Sequence, residues 1–133
     1  MHELAVVMPA YNEEDCIASV VREWRTALAA AIPDFVLIVL DDGSTDGTAA
    51  VLSAFAGDSR ISVVSKRNEG HGPTILRGYR TALSIADWVF QVDADDEIPA
   101  RDFALLWARR EEYDALIGSR RASRRDAGRA DAL

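Results

Sequence analysis

Phe35-Val36-Leu37-Ile38-Val39-Leu40 is an unbroken apolar run that stops abruptly at Asp41-Asp42-Gly43. A run this short suits a strand better than a core helix, and it is far too short to span a bilayer. As a strand it is apolar on both sides, so both faces need cover. A parallel sheet packed between helices meets that need. Further strand candidates are Leu4–Met8, which ends at Pro9, then Ile61–Ser65, Trp88–Val92 and Ala115-Leu116-Ile117. Between them Ile17, Val20, Val21, Trp24 and Leu28 recur at helical spacing and predict a helix over about residues 13–31. Asn12 is its expected N-cap, with Glu13, Glu14 and Asp15 in a first turn that favours acids. Val51, Leu52 and Phe55 mark a short helix. Pro73 suits the first turn of another, with Ile75, Leu76, Tyr79 and Leu83 as its expected buried stripe. Pro99 opens a last one, with Phe103, Leu106 and Trp107 inward. Strands alternating with helices define an α/β fold with a mostly parallel sheet. The periodicity ends near Ser119, which divides the chain into a domain over residues 1–119 and an arginine-rich tail over 120–133.

The 133 residues, 49% hydrophobic and 28% charged, are enough for one buried core. Cys16 is the single cysteine, which excludes an internal disulfide framework and a cysteine-based zinc site, and it reads as a small packing residue. The net charge is −7, with 16 acidic and 7 basic residues in positions 1–100. Such a balance speaks against general nucleic-acid binding, which needs a broad basic face. Met1-His2-Glu3 does not lead a basic segment into an apolar one, so no secretory signal is expected and a reducing, cytoplasmic setting fits.

Ligands of open parallel sheets bind beyond the carboxyl ends of the strands. Three polar clusters stand at such ends: Pro9-Ala10-Tyr11-Asn12-Glu13, Asp41-Asp42-Gly43-Ser44 and Asp93-Ala94-Asp95-Asp96-Glu97. A parallel sheet brings all three to one edge. Crowded carboxylates repel, and a divalent cation relieves the repulsion. Oxygen donors suit Mg²⁺ or Mn²⁺, which commonly keeps one or two carboxylates and completes its shell with water and phosphate oxygens. The competing reading of this cluster is a solvated turn that caps the helix opening at Pro99. Asp41 and Asp42 are adjacent acids at a strand end and need donors, for which a nucleobase N–H or a ribose hydroxyl would serve. Ser44 and Asp46 are expected to cap the helix that follows. Gly70-His71-Gly72-Pro73 is a glycine turn before a helix, a weak phosphate-binding signal. His71 reads more readily as structural than as catalytic.

Five segments together resemble the nucleotide-binding half of family 2 glycosyltransferases, which have the GT-A fold. They are residues 7–14 (VMPAYNEE), 40–48 (LDDGSTDGT), 68–72 (NEGHG), 92–96 (VDADD) and 117–120 (IGSR). The acidic cluster and Gly118-Ser119-Arg120 are most similar to the branch of polyprenyl-phosphate sugar synthases, which includes dolichol-phosphate mannose synthase. The resemblance implies a nucleoside-diphosphate sugar donor, Mg²⁺ or Mn²⁺, inversion at the anomeric carbon, and a polyprenyl phosphate or another lipid or glycan acceptor. It implies a donor site built from Pro9, Ala10, Tyr11, Glu13, Leu40, Asp41, Asp42, Gly72, Asp93, Ala94 and Arg120. Asp93, Asp95 and Glu97 would be the metal ligands. No residue matches a catalytic base, and an acceptor that is already an ionised phosphate needs none. Glu97 and Thr74 stand where relatives often carry Gln and Ala, and the family's catalytic domain normally continues further, so a truncated or minimal form is expected. Arg120, Arg121, Arg124, Arg125 and Arg129, with Asp126, read either as the start of an acceptor loop or as a frayed tail. A lipid acceptor would place the protein peripherally at the inner face of a membrane. A homo-oligomer is a candidate assembly.

The alternative within the same fold is a module that holds a nucleotide sugar without transferring it, or an inactive fragment without its acceptor half. A two-component receiver domain would need paired acids after the first strand and a lysine after the fifth, and the single lysine here is Lys66. A nucleotidyltransferase would need a glycine-rich basic loop after the first strand, where this chain has Pro9-Ala10-Tyr11-Asn12.

Overall fold

The structure is a computed structural model of the 133-residue chain and describes residues 1–95 and 97–117. It contains β1 (His2–Ala10), β2 (Phe35–Asp42), β3 (Ile61–Lys66) and β4 (Ala86–Gln91) in one sheet. All pairings are parallel, and the strand order is β3-β2-β1-β4. Every residue of β2 is buried, as its two-sided apolar sequence requires. The chain first builds outward from β1 through β2 to β3, then crosses back to lay β4 on the other side of β1. Right-handed crossovers therefore place α1 (Ile17–Ala31) and α3 (His71–Leu83) on opposite faces. Side-chain alternation agrees. Val7, Ile38 and Leu40 pack with Tyr79 and Ala82 of α3. On the other face Trp24 of α1 meets Phe90, ring centroids 5.9 Å apart, and Arg25 of α1 lies over Phe35.

The expected core of α1 is observed: Ile17, Val20, Val21, Trp24 and Leu28 are buried. Its start is not. The helix begins at Ile17, its first turn holds no acid, and Cys16 occupies the N-cap position without a side-chain cap. Asn12 has φ +52°, in the left-handed region, and its side chain bonds to a different loop. Residues 13–16 form a turn, in which Glu13 O accepts from Cys16 N and Ile17 N.

The stripe of α3 is also corrected. Thr74, Gly78 and Ala82 are its buried residues, while Leu76 and Leu83 are exposed. Small residues win this face because the helix lies directly on the sheet. A Cβ at Gly78 would collide with Val7 Cγ1. Leucines there would hold the helix off β1.

α2 (Thr48–Leu52) runs into a 3₁₀ turn at Ser53–Phe55. By compactness the chain divides after Ala100 into Met1–Ala100 and a second unit that starts at Arg101. Within the second unit, α4 (Phe103–Trp107) has five residues. Its Phe103 and Trp107 rings stack at 6.0 Å, and the Arg110 guanidinium sits 3.9 Å above Trp107. Phe103 is buried as expected, whereas Leu106 and Trp107 are half-buried. Ala115-Leu116-Ile117 is not a strand: no ladder receives it, and Ile117 is 91% exposed. Among the described residues, no helix is long and apolar enough to cross a membrane. The expected tail over 120–133, together with Asp96, Gly118 and Ser119, lies outside the described residues.

Candidate functional site

Beyond the carboxyl ends of β1 and β4 lies a cleft of 330 Å³. The strand order reverses at this place, and neighbouring crossovers leave the sheet on opposite faces, which opens a crevice. Pro9, Ala10, Tyr11 and Glu13 line it from the end of β1, Asp42 from the end of β2, and Asp93, Ala94 and Asp95 from beyond β4. The three clusters singled out in the sequence do converge.

The wall after β1 is held by the loop after β2. Asn12 N donates to Ser44 Oγ at 2.9 Å, and Asn12 Oδ1 accepts from Thr45 N at 2.8 Å. Glu13 N donates to Thr48 Oγ1, and Gly47 N donates to Glu14 Oε2, each at 2.9 Å. Ser44 is thus spent on this inter-loop staple and caps no helix. Asp46 does act as expected: its Oδ1 accepts from Thr48 N at 2.9 Å at the start of α2. Cys16 Sγ lies 3.4 Å from both Glu13 Oε2 and Ala94 O, so it ties two walls of the cleft together as well as filling space.

The floor is a buried ion pair. Lys66 Nζ donates to Asp42 Oδ1 at 2.5 Å, and the two side chains are 1% and 5% exposed. Asp42 also accepts from Glu69 N at 2.8 Å and Gly70 N at 3.0 Å. Burial alone would push the Asp42 carboxyl up. The Lys66 ammonium, the Glu69 amide and the Thr74 hydroxyl together outweigh burial and hold it below the ordinary carboxylate value. Asp42 is therefore an anion near neutral pH, presenting acceptors only.

At the opposite side Asp93 and Asp95 are both exposed. Asp93 Oδ1 accepts from Gln91 Nε2 at 2.9 Å and lies 3.4 Å from His71 Nε2, while Asp95 Oδ1 accepts from Glu97 N at 3.2 Å. Among the described residues, no three Asp, Glu, His or Cys side chains gather tightly enough to enclose a metal by themselves. Two open carboxylates on the cleft wall nevertheless fit a hard cation whose shell is completed by water and phosphate.

Of the other expected site residues, Leu40 points into the α3-side core, and Asp41 is buried with Oδ1 accepting from Ser44 N at 3.1 Å. Side chains alternate along a strand, so of this adjacent pair only Asp42 faces the cleft. Gly72 and Glu97 are exposed and do not line it. Arg120 lies outside the described residues. Sequence reasoning gave no role here to Asn68 or Thr74, which line the cleft, or to Lys66 beneath it, and it read His71, another lining residue, as structural. A signal existed: in parallel register Lys66 ends β3 opposite Asp42, the acid most in need of a partner.

Residues 5–131 match the family Glycosyl transferase family 2. The chain belongs to this family. It is 30% identical over 129 residues to an undecaprenyl-phosphate 4-deoxy-4-formamido-L-arabinose transferase of Enterobacter sp. strain 638, covering 95% of this chain and 39% of that protein. The protein of the same description from Pseudomonas aeruginosa strain LESB58 is 33% identical over 127 residues, covering 93% of this chain and 37% of the relative. The chain thus spans less than two-fifths of the length of these curated relatives. Among solved structures, Staphylococcus aureus TarS with UDP-GlcNAc matches with a TM-score of 0.64 and 25% identity over 83% of this chain and 31% of that one. The Pyrobaculum calidifontis mannosyltransferase PcManGT, solved with GDP-Man and Mn²⁺, matches with a TM-score of 0.64 and 25% identity over 76% and 30%. Glucosyl-3-phosphoglycerate synthase of Mycobacterium tuberculosis with UDP matches with a TM-score of 0.60 and 28% identity over 86% and 41%. The fold is GT-A.

Proposed function

We propose that this chain is the donor-binding half of a metal-dependent, inverting glycosyltransferase that moves a sugar from a nucleoside diphosphate to a polyprenyl phosphate. One observation carries the reading: a single cleft holds a fixed anionic acceptor, Asp42, on one side and two open carboxylates, Asp93 and Asp95, on another. A nucleotide sugar has matching ends, a base edge that offers an N–H donor and a diphosphate that needs neutralising. Neighbours of the same fold solved with UDP-GlcNAc, with GDP-Man and Mn²⁺, and with UDP support a nucleotide or nucleotide-sugar ligand. Relatives described as undecaprenyl-phosphate sugar transferases support the acceptor class. A lipid acceptor would bring the protein to the inner face of a membrane.

In this reading Asp42 accepts from the base edge, and Tyr11 and Glu13 line the base and ribose. Asp93 and Asp95 would hold Mg²⁺ or Mn²⁺, which when bound supplies positive charge to the leaving diphosphate. Transfer is one displacement. An anionic phosphate oxygen of the acceptor attacks the anomeric carbon, the bond to the donor diphosphate breaks with its electron pair, and the configuration inverts. The nucleophile is already ionised, so no side chain of this chain needs to take a proton.

The test is a thermal-shift panel of UDP-, GDP- and dTDP-sugars, each with Mn²⁺ and with EDTA. A ligand of the native state raises the melting temperature by mass action. A rise with one nucleotide that needs Mn²⁺ supports the reading. A rise without sugar transfer to a short-chain polyprenyl phosphate identifies a donor-binding module, and no rise with any of them overturns both.

A further inference from the structure

Lys66 belongs to none of the family motifs read from the sequence, yet it organises the cleft floor. All three ammonium hydrogens are committed: to Asp42 Oδ1 at 2.5 Å, Arg67 O at 2.9 Å and Thr74 Oγ1 at 3.0 Å. The next residues fold around the same pair. Asn68 Nδ2 donates to Asp42 O, and Glu69 N and Gly70 N donate to the Asp42 carboxylate. Every residue from Arg67 to Gly70 is tied to Asp42 or Lys66, and this loop delivers Asn68, Gly70 and His71 to the cleft wall. Thr74 is fully buried, and its hydroxyl is the oxygen that takes a Lys66 hydrogen.

We propose that Lys66 is a positioning residue for nucleotide recognition: by donating to Asp42 and Thr74 it keeps the Asp42 carboxylate a pure acceptor and fixes the β3–α3 loop against the donor base. The proposal rests on the reading of the cleft as a nucleotide site. A buried carboxylate that loses its cation takes up a proton readily, because burial disfavours the lone charge. A protonated Asp42 would offer an O–H where the ligand also offers N–H. Glu69 lies 3.4 Å from Lys66, Asp41 adjoins Asp42, and Glu13, His71, Asp93 and Asp95 line the same cleft. Those groups are present in wild type and variant alike, so the difference between the two pH profiles reports the removal of Lys66.

The test is calorimetric titration of wild type and Lys66→Met with UDP, GDP and dTDP, each with MnCl₂, between about pH 6 and 8. The expected result for the nucleotide that binds is a roughly tenfold weaker Kd in Lys66→Met, the loss of one charge-assisted contact, growing further as pH falls while wild type stays flatter. Wild-type affinity with a wild-type profile in Lys66→Met overturns this assignment and leaves the nucleotide reading standing. No binding by wild type overturns both. If Lys66→Met does not fold, Lys66→Gln, which leaves Asp42 in place and can still donate to it but carries no charge, decides. Binding roughly tenfold weaker than wild type supports the assignment, and wild-type binding overturns it.

Discussion

Asn12 and Thr45 clasp each other across two loops: Asn12 Oδ1 accepts from Thr45 N at 2.8 Å, and Asn12 Nδ2 donates to Thr45 Oγ1 at 3.2 Å. Asn12 does this from φ +52°, a backbone region that asparagine tolerates better than most residues. Asn12→Ala therefore loses both bonds and adds strain, while Asn12→Gly loses the bonds alone. The expected loss of stability is about 1–3 kcal/mol for alanine and less for glycine. Urea unfolding of the two variants gives the order, and equal losses would mean that the backbone strain is negligible.

Gly78 poses two opposed effects. Alanine is the better helix former by about 1 kcal/mol. The new methyl, however, would meet Val7 Cγ1 under the helix. Overpacking of this kind costs about 1–3 kcal/mol, so Gly78→Ala is expected to destabilise on balance. Leu76→Ala, on the exposed face, should stay within about 0.5 kcal/mol of wild type. Chemical denaturation midpoints measure both. A stabilised Gly78→Ala would show that α3 can lift off the sheet freely.

The same helix shows what the sequence made legible. Two-sided apolar runs announced the buried strands, and motifs at strand ends announced the cleft, because both follow from local composition and the topology of parallel sheets. Leu76 and Leu83 misled because hydrophobicity alone does not reveal the distance between helix and sheet. That distance selected Thr74, Gly78 and Ala82 instead. Asn12 misled in another way. Capping chemistry and loop-stapling chemistry use the same amide, and only the partner loop, 33 residues away, decides which one operates. Lys66 could be found only through the register that sets it opposite Asp42.

Asp58 sets an acid-side dependence far from the cleft. Arg25 Nε donates to Asp58 Oδ2 at 2.8 Å and Arg60 N to Oδ1 at 2.9 Å, which holds the carboxyl below its ordinary 3.8. A depressed folded pKa stabilises above the unfolded value, and that contribution disappears as pH falls through the folded one. Asp58→Asn should therefore melt below wild type at neutral pH, and the gap should close as pH drops below 3.8. Melting curves across that range check it. A gap that persists at the lowest pH would assign the effect to packing instead of charge.

Asp95 and Glu97 separate the metal reading from a general effect of acidity. Asp95 lines the cleft, whereas Glu97 is exposed outside it. Asp93 is engaged by the Gln91 and His71 side chains, whereas Asp95 accepts from a backbone N–H of Glu97, so Asp95 is the carboxylate whose loss should be felt most by a cation. Asp95→Asn is expected to weaken Mn²⁺-dependent nucleotide binding by roughly tenfold or more, since even residues supporting a metal ligand cost that much. Glu97→Gln should change it far less, and both variants should keep the wild-type melting temperature without ligand. Titration of UDP and GDP with Mn²⁺ and with EDTA reads the difference. With EDTA, wild type and Asp95→Asn should bind alike, because the carboxylate then has no cation to hold. Unchanged Mn²⁺-dependent affinity in Asp95→Asn would remove this residue from the metal site, and an equal loss in Glu97→Gln would shift the assignment to the summed charge of the loop.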